Sequence, residues 1–246
     1  DENLINSIIT KAEIDKETLV IEIGPGAGSL TSKLAKVAKQ VLCYEIDNTL
    51  EPILHENIND SNVDIIFADF LKCDVLPDLE KYSYQKLYVV ANLPYYITTP
   101  IIMKLIEDKI PVDKIVVMVQ KEVGDRFKAE PNSKDYGSLS IFLQYYFNVR
   151  KLIDVSRNVF IPKPNVDSIV VEFSRNDKNY IVKDEKVFFS LVKDSFTQKR
   201  KTLRNNLKEY DLEKVEEVLS KYGFTLTVRA EQLSIDIFVD IANALS

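Results

Sequence analysis

The run Thr18-Leu19-Val20-Ile21-Glu22-Ile23 is β-rich and breaks on Gly24-Pro25-Gly26-Ala27-Gly28 before a helix-length segment. Three glycines in five positions let the backbone turn sharply and approach a ligand with no Cβ in the way. A strand that stops on such a turn opens an α/β domain with a nucleoside site at the carboxyl edge of its sheet. The spacing is G-x-G-x-G, not the G-x-G-x-x-G of dinucleotide folds, and Glu22 sits just before it. A pyrophosphate on a helix N-terminus has no use for that carboxylate. S-adenosylmethionine, which has no phosphate and carries an ammonium, suits it better, and Gly24 and Gly26 are the expected contacts.

The rest of the first 174 residues repeats the alternation. Strands are expected at Thr18–Ile23, Val41–Glu45, Val63–Phe67, Lys86–Ala91, Lys114–Val119, Phe147–Val155 and Ser168–Phe173. Helix-length segments separate the first five, which read as parallel. The last two are joined by a proline-containing loop too short for a crossover helix and read as an antiparallel pair. The expected fold class is α/β, a Rossmann-like seven-stranded sheet of the class I methyltransferase type with a small C-terminal α-helical domain. Thr98 and Thr99 before Pro100 predict a helix over Ile101–Glu107. Polar, aperiodic Ser174–Glu185 reads as a linker. Beyond it, Phe188, Leu191, Val192 and Phe196 share a helical face, as do Leu212, Val215, Leu219 and Tyr222, and Ile235, Phe238, Ile241 and Ala242. The expected domains are therefore 1–175 and 176–246.

No stretch approaches the roughly 18 uninterrupted apolar residues of a membrane span, and Asp1-Glu2-Asn3 is no signal peptide. The chain reads as soluble and cytoplasmic. Cys43, Cys73 and the single His55 are too few and too scattered for a disulfide framework or a metal cluster, so no metal is expected. A net charge of −6 argues against indiscriminate nucleic-acid binding. The tail 176–246 holds 12 basic and 12 acidic residues, so the whole excess lies in the first 175. Within this neutral tail, Lys199, Arg200, Lys201 and Arg204 concentrate positive charge, either a solvated face or a phosphate-contacting patch.

Each strand end carries a chemical group. Glu45 closes the second strand, where a carboxylate accepts from both ribose hydroxyls. Asp69 follows the third and can accept the cofactor's adenine amino group, with Ile46 and Phe70 as apolar neighbours of the base. Asn92-Leu93-Pro94-Tyr95 follows the fourth: the Asn92 amide oxygen accepts an exocyclic N–H, the Tyr95 ring stacks on a flat base, and Pro94 keeps the two from drifting apart. Their order converges on one crevice.

These segments, with Tyr44-Glu45-Ile46-Asp47, Val119-Gln120-Lys121-Glu122-Val123, Phe160-Ile161-Pro162-Lys163-Pro164-Asn165-Val166-Asp167-Ser168 and Phe196 to Leu207, resemble the KsgA-type small-subunit ribosomal RNA adenine dimethyltransferases over nearly the whole chain. The resemblance implies S-adenosyl-L-methionine as cofactor and N6-dimethylation of two adjacent adenosines near the 3′ end of 16S ribosomal RNA, within the immature small subunit, by a monomer. It places Asn92, Leu93, Pro94, Tyr95 and Phe160 at the target base, with Phe160 opposite Tyr95. It adds Asn92 to Gly24, Gly26, Glu45, Ile46, Asp69 and Phe70 around the cofactor, and puts Lys199, Arg200, Lys201 and Arg204 on RNA. Family members usually begin with a basic arm carrying a Gln-Asn-Phe-Leu-like segment. Asp1-Glu2-Asn3-Leu4 lies just past it, so the resemblance implies a missing arm and weaker cofactor binding. The rivals are an Erm-type 23S methyltransferase, a chiefly non-catalytic assembly factor, and an NAD-dependent oxidoreductase, which fails on glycine spacing and leaves Asn92–Tyr95 without a task.

Overall fold

The computed structural model describes residues 2–246, apart from the side chain of Tyr95. The chain divides into two compact units: the residues up to Gly124 with Val149–Arg175, and Asp125–Asn148 with Asn176–Ser246.

The elements in chain order begin with α1 (Glu2–Ala12), β1 (Thr18–Ile23), α2 (Ser29–Val37), β2 (Gln40–Glu45), α3 (Glu51–Asn57) and β3 (Val63–Phe67). Next come α4 (Leu76–Leu79), β4 (Lys86–Ala91), α5 (Tyr95–Glu107), β5 (Lys114–Gln120), α6 (Lys121–Phe127) and α7 (Ser138–Tyr146). The last are β6 (Phe147–Val155), β7 (Ser168–Arg175), α8 (Glu185–Ser195), α9 (Leu203–Asn206), α10 (Leu212–Lys221) and α11 (Ile235–Leu245). The seven strands form one sheet in the order β3-β2-β1-β4-β5-β7-β6. Strands β1 to β5 pair in parallel, as the helix-length spacing implies, while β7 runs antiparallel to β5 and neighbours β6.

Register explains how this sheet carries a site. Side chains alternate across a strand, so paired residues two apart share a face. Glu22 lies beside Cys43 and Val90, Val90 beside Val116, and Val116 beside Glu172. This transverse row, with Val20, Tyr88 and Val170 on the same face, packs on Ile8, Ile9, Ala12 and Leu34 of α1 and α2. One step toward the carboxyl ends the next row holds Glu45, Met118 and Val170, with Gly24 and Asn92 one residue beyond the ladders of β1 and β4. The last row is Gln120 beside Ser168. The face is thus a packed core at one end and a floor at the other.

Two boundaries differ from expectation by two residues or more. Helix α5 starts at Tyr95, with Pro94 at its N-cap and Pro100 inside it. The missing Pro100 N–H removes one bond, to the carbonyl of exposed Tyr96, which water can reach. Strand β7 runs on through Arg175 because Ser174 pairs with Lys114.

The second unit has its own core. Phe188, Leu191 and Val192 of α8, Val215, Val218 and Leu219 of α10, and Ile235, Phe238 and Ile241 of α11 cluster with Tyr136 and Ile141. Segment 125–148 joins this unit although the sequence reading assigns it to 1–175. The reason is long-range contact: the Tyr136 hydroxyl donates to the Leu233 carbonyl (2.7 Å), and Tyr145 packs against Phe188 with ring centroids 4.8 Å apart. Tyr222, expected on the α10 core face, is 41% exposed and bonds Asp240. Among the described residues no helix is long and apolar enough to cross a membrane, and no His, Cys, Asp and Glu group could hold a metal ion.

Candidate active site

Two adjoining cavities open over the carboxyl end of the sheet. The larger, about 390 Å³, is walled by Leu4, Ile5 and Ile8 of α1, the turn Gly24–Gly26, and Glu22, Val90 and Val116 from the sheet. The smaller, about 280 Å³, is lined by Leu93, Pro94, Gln120, Pro162, Pro164 and Ser168 among others. Asn92, Met118 and Phe160 line both. Asn92 is exposed, and its carboxamide makes no hydrogen bond among the described residues. Its two lone pairs and two N–H groups are therefore available at the junction.

The glycine turn is built as its composition predicts. Gly24, Gly26 and Gly28 have φ of +73°, +58° and +87°, a region open to glycine but costly for other residues. A Cβ on Gly24 would lie 2.4 Å from Leu93 Cδ2, so the first glycine also lets the Asn92-Leu93 loop close down beside it. The Glu45 carboxylate clamps the turn to β2: Oε2 accepts from Gly26 N–H at 3.2 Å and Oε1 from Asp47 N–H at 2.9 Å. Expected to contact a ligand directly, Glu45 is buried and shapes the loop through these bonds.

Glu22 is the electrostatic oddity. It is 2% exposed, and its Oε2 accepts from Thr31 Oγ1 at 2.6 Å and from Cys43 Sγ at 3.6 Å. No cation pairs with it among the described residues. Burial pushes its carboxyl up to about 7, the nearby Glu45 charge adds to the rise, and the Thr31 and Cys43 bonds oppose it.

Of the other expected residues, Asp69 caps a short 3₁₀ turn by accepting from Leu71 N–H at 3.0 Å. Phe70 is buried, edge-on to Tyr44 with centroids 5.1 Å apart. Its ring is spent in the core, whereas Ile46 is 67% exposed. Neither lines the two cavities, and neither do Glu45 and Asp69. The Tyr95 side chain lies outside the described atoms. In the second unit Lys199, Arg200, Lys201 and Arg204 are all exposed, three on the turn after α8 and one in α9. Lys199 Nζ donates to the Lys134 carbonyl, and none of the four pairs with a carboxylate among the described residues. The sequence reading gives no site role to the α1 wall or to Met118, Gln120, Ser168 and Val170. The period-two alternation of β5 and β7 is the signal that could have found the last four.

The Ribosomal RNA adenine dimethylase family model matches residues 1–246. The chain belongs to this family. Two relatives named ribosomal RNA small subunit methyltransferase A are similar over its length: that of Oceanobacillus iheyensis is 46% identical, covering 99% of this chain and 86% of the relative. That of Bacillus mycoides is 48% identical, covering 100% and 87%. Among solved structures, a dimethyladenosine transferase from Plasmodium falciparum has the same fold, with a TM-score of 0.81 at 24% identity over 98% of this chain and 94% of the other. The 23S rRNA methyltransferase ErmE superposes with a TM-score of 0.76 at 25% identity, covering 100% and 98%. In this ribosomal RNA adenine dimethylase, two cavities thus meet at Asn92, Met118 and Phe160.

Proposed function

We propose that this ribosomal RNA adenine dimethylase dimethylates N6 of two adjacent adenosines near the 3′ end of 16S ribosomal RNA. It uses S-adenosyl-L-methionine, works on the immature small subunit, and acts as a cytoplasmic monomer. The observation that carries the reading is Asn92 in the wall shared by both cavities. Relatives 46–48% identical are named for the small subunit, whereas the 23S enzyme stands at 25%, which favours the small-subunit reading over the Erm-type one.

The larger cavity suits the cofactor on three counts. The turn keeps Cβ atoms out of it, α1 supplies an apolar wall, and Glu22 presents a buried carboxylate with no cation of its own, the complement of an amino-acid ammonium. Gly24, Gly26, Glu22 and Asn92 would hold the cofactor there, with Glu45 bracing the turn. When bound, it supplies an electrophilic methyl group.

The remaining work falls to the chain. Adenine N6 is a poor nucleophile because its lone pair is delocalised into the ring. Asn92 Oδ1 and the Leu93 carbonyl accept its two N–H bonds, which favours a pyramidal nitrogen with its lone pair aimed at the neighbouring cavity. The alkylated nitrogen is acidic enough to lose its proton to water, so no strong base is required. The adenosine must first leave its stack, at a few kcal/mol. Phe160 stacks on one face of the base, Tyr95 is assigned to the other, and Pro94 fixes the loop between them, a sandwich worth roughly 1–3 kcal/mol.

Asn92→Ala should abolish transfer to 16S RNA while cofactor binding stays measurable by calorimetry; undiminished methylation in that variant refutes the reading. Lys199, Arg200, Lys201 and Arg204 are proposed to meet RNA phosphates. Replacing all four by alanine should flatten the dependence of log binding constant on log salt by about 3, from four contacts at roughly 0.7 each. An unchanged slope removes the patch from the interface.

A further inference from the structure

The geometry points to Gln120 and Ser168 as the residues that read the ring edge of the target adenine, an inference that rests on assigning the smaller cavity to the base. Neither belongs to the Asn92–Tyr95 loop. Along β5, Val116 and Met118 line the larger cavity, Met118 also lines the smaller one, and Gln120 lines the smaller. With a side-chain period of two, all three stand on the same face, so the strand carries one wall from the donor side to the base side. On β7, Val170 lines the larger cavity and Ser168 the smaller, and the register sets Met118 beside Val170 and Gln120 beside Ser168. Cross-strand partners hold their Cβ atoms about 5 Å apart, so an amide and a hydroxyl stand side by side. The rest of this lining is apolar apart from Asn92.

Both side chains are half-buried and make no hydrogen bond among the described residues. A carboxamide without a partner at the floor of a cavity offers N–H donors to whatever enters it. Adenine presents a ring-nitrogen acceptor on each side of its amino group, N1 and N7. With N6 held at Asn92, in the adjacent row of the same sheet face, one of these nitrogens turns toward β5. Gln120 Nε2 donates to it, and the Ser168 hydroxyl rotates to support the same edge. Asn92 then sets where the amine sits, and Gln120 sets the rotation of the base in its plane. Without Gln120 the lone pair swings off the line to the donor cavity.

The test pairs protein and RNA changes. Small-subunit RNA is prepared with 1-deazaadenosine or 7-deazaadenosine at the methylated positions, each lacking one ring acceptor. Wild type should lose about tenfold in kcat/KM with one analogue, the cost of one unmade hydrogen bond in a desolvated site. Gln120→Leu, and the near-isosteric Gln120→Glu, which cannot donate when ionised, should each lose about tenfold on unmodified RNA and be indifferent to that analogue. Calorimetric cofactor affinity should stay at the wild-type value in Gln120→Glu, since Gln120 does not line the larger cavity. The inference is overturned if wild type tolerates both analogues, if both Gln120 variants keep full rate, or if the analogue penalty persists undiminished in them. An active Asn92→Ala enzyme sinks the base-site reading itself; an inactive one with fully active Gln120 variants sinks this inference alone.

Discussion

Two buried glutamates stand in one transverse row of the sheet, and their surroundings separate scaffold from site. Glu172, 1% exposed, meets cations: Arg150 Nε donates to its Oε1 at 2.8 Å and Lys114 Nζ lies 3.7 Å from Oε2. Lys114 in turn reaches Glu13 at 3.0 Å and stands over the Tyr88 ring at 5.3 Å. Glu22 has a hydroxyl, a thiol and a cavity. A buried carboxyl is neutralised by a cation in place, as Glu172 is, or by keeping its proton, as the raised value of Glu22 provides for. The same residue type at the same depth thus ties the strands together at β7 and faces a cavity without a cation at β1.

The comparison breaks most visibly at Glu22. Its folded value of about 7 lies above the ordinary 4.5, so the folded protein keeps a proton that the unfolded chain releases. Below 4.5 both forms are protonated and the burial carries no ionisation penalty. Stability falls as pH rises from 4.5 to 7 and stays reduced above, by about 3 kcal/mol for a shift of this size. Glu22→Gln should abolish this part of the slope in urea titrations at pH 5 and pH 8. It should be the more stable protein at pH 8, yet bind S-adenosylmethionine at least tenfold more weakly. A wild-type slope in the variant would mean that Glu22 is not the titrating acid.

Arg150→Ala probes the other member. It leaves Glu172 with only the longer Lys114 contact, and should lower stability by about 2 kcal/mol, reduced from a fully buried pair because Arg150 is itself 59% exposed. Transfer per folded molecule should stay unchanged. Adding Glu172→Gln should restore part of the stability, and the double-mutant cycle measures the coupling.

The smallest effect separates two glycines of the same turn. Gly24→Ala and Gly26→Ala each put a Cβ on a left-handed backbone, at about 1 kcal/mol. Only Gly24→Ala also drives into Leu93, since a Cβ on Gly26 meets nothing within 4 Å. Thermal denaturation should rank Gly24→Ala below Gly26→Ala, and only the former should slow methylation at saturating cofactor, through displacement of the Leu93 carbonyl. Equal rates in the two variants would disconnect the turn from the base loop.

Much of the fold was legible because strands of a doubly wound sheet are short, apolar and punctuated. All seven were placed within two residues, and the helical faces of α8 and α11 were read from spacing. Helix α5 was harder: Thr98, Thr99 and Pro100 form a good start signal, but the helix begins earlier, at Tyr95 behind Pro94, and tolerates the inner proline where one carbonyl faces water. Segment 125–148 was misassigned because its partners, Leu233 and Phe188, are remote in sequence. At the site, local signatures single out the glycine turn and Asn92, which line the larger cavity, and Glu45 and Phe70, which are buried and line neither.

Which groups stand at the strand ends is written in the local chain, because glycine turns, prolines and alternating side chains act over a few residues. Only the tertiary structure decided which of them share a row. Register between strands is set by contacts across the sheet, and it is register that places Met118 beside Val170, Gln120 beside Ser168, and Glu22 in line with Glu172 but out of reach of the cations that neutralise it.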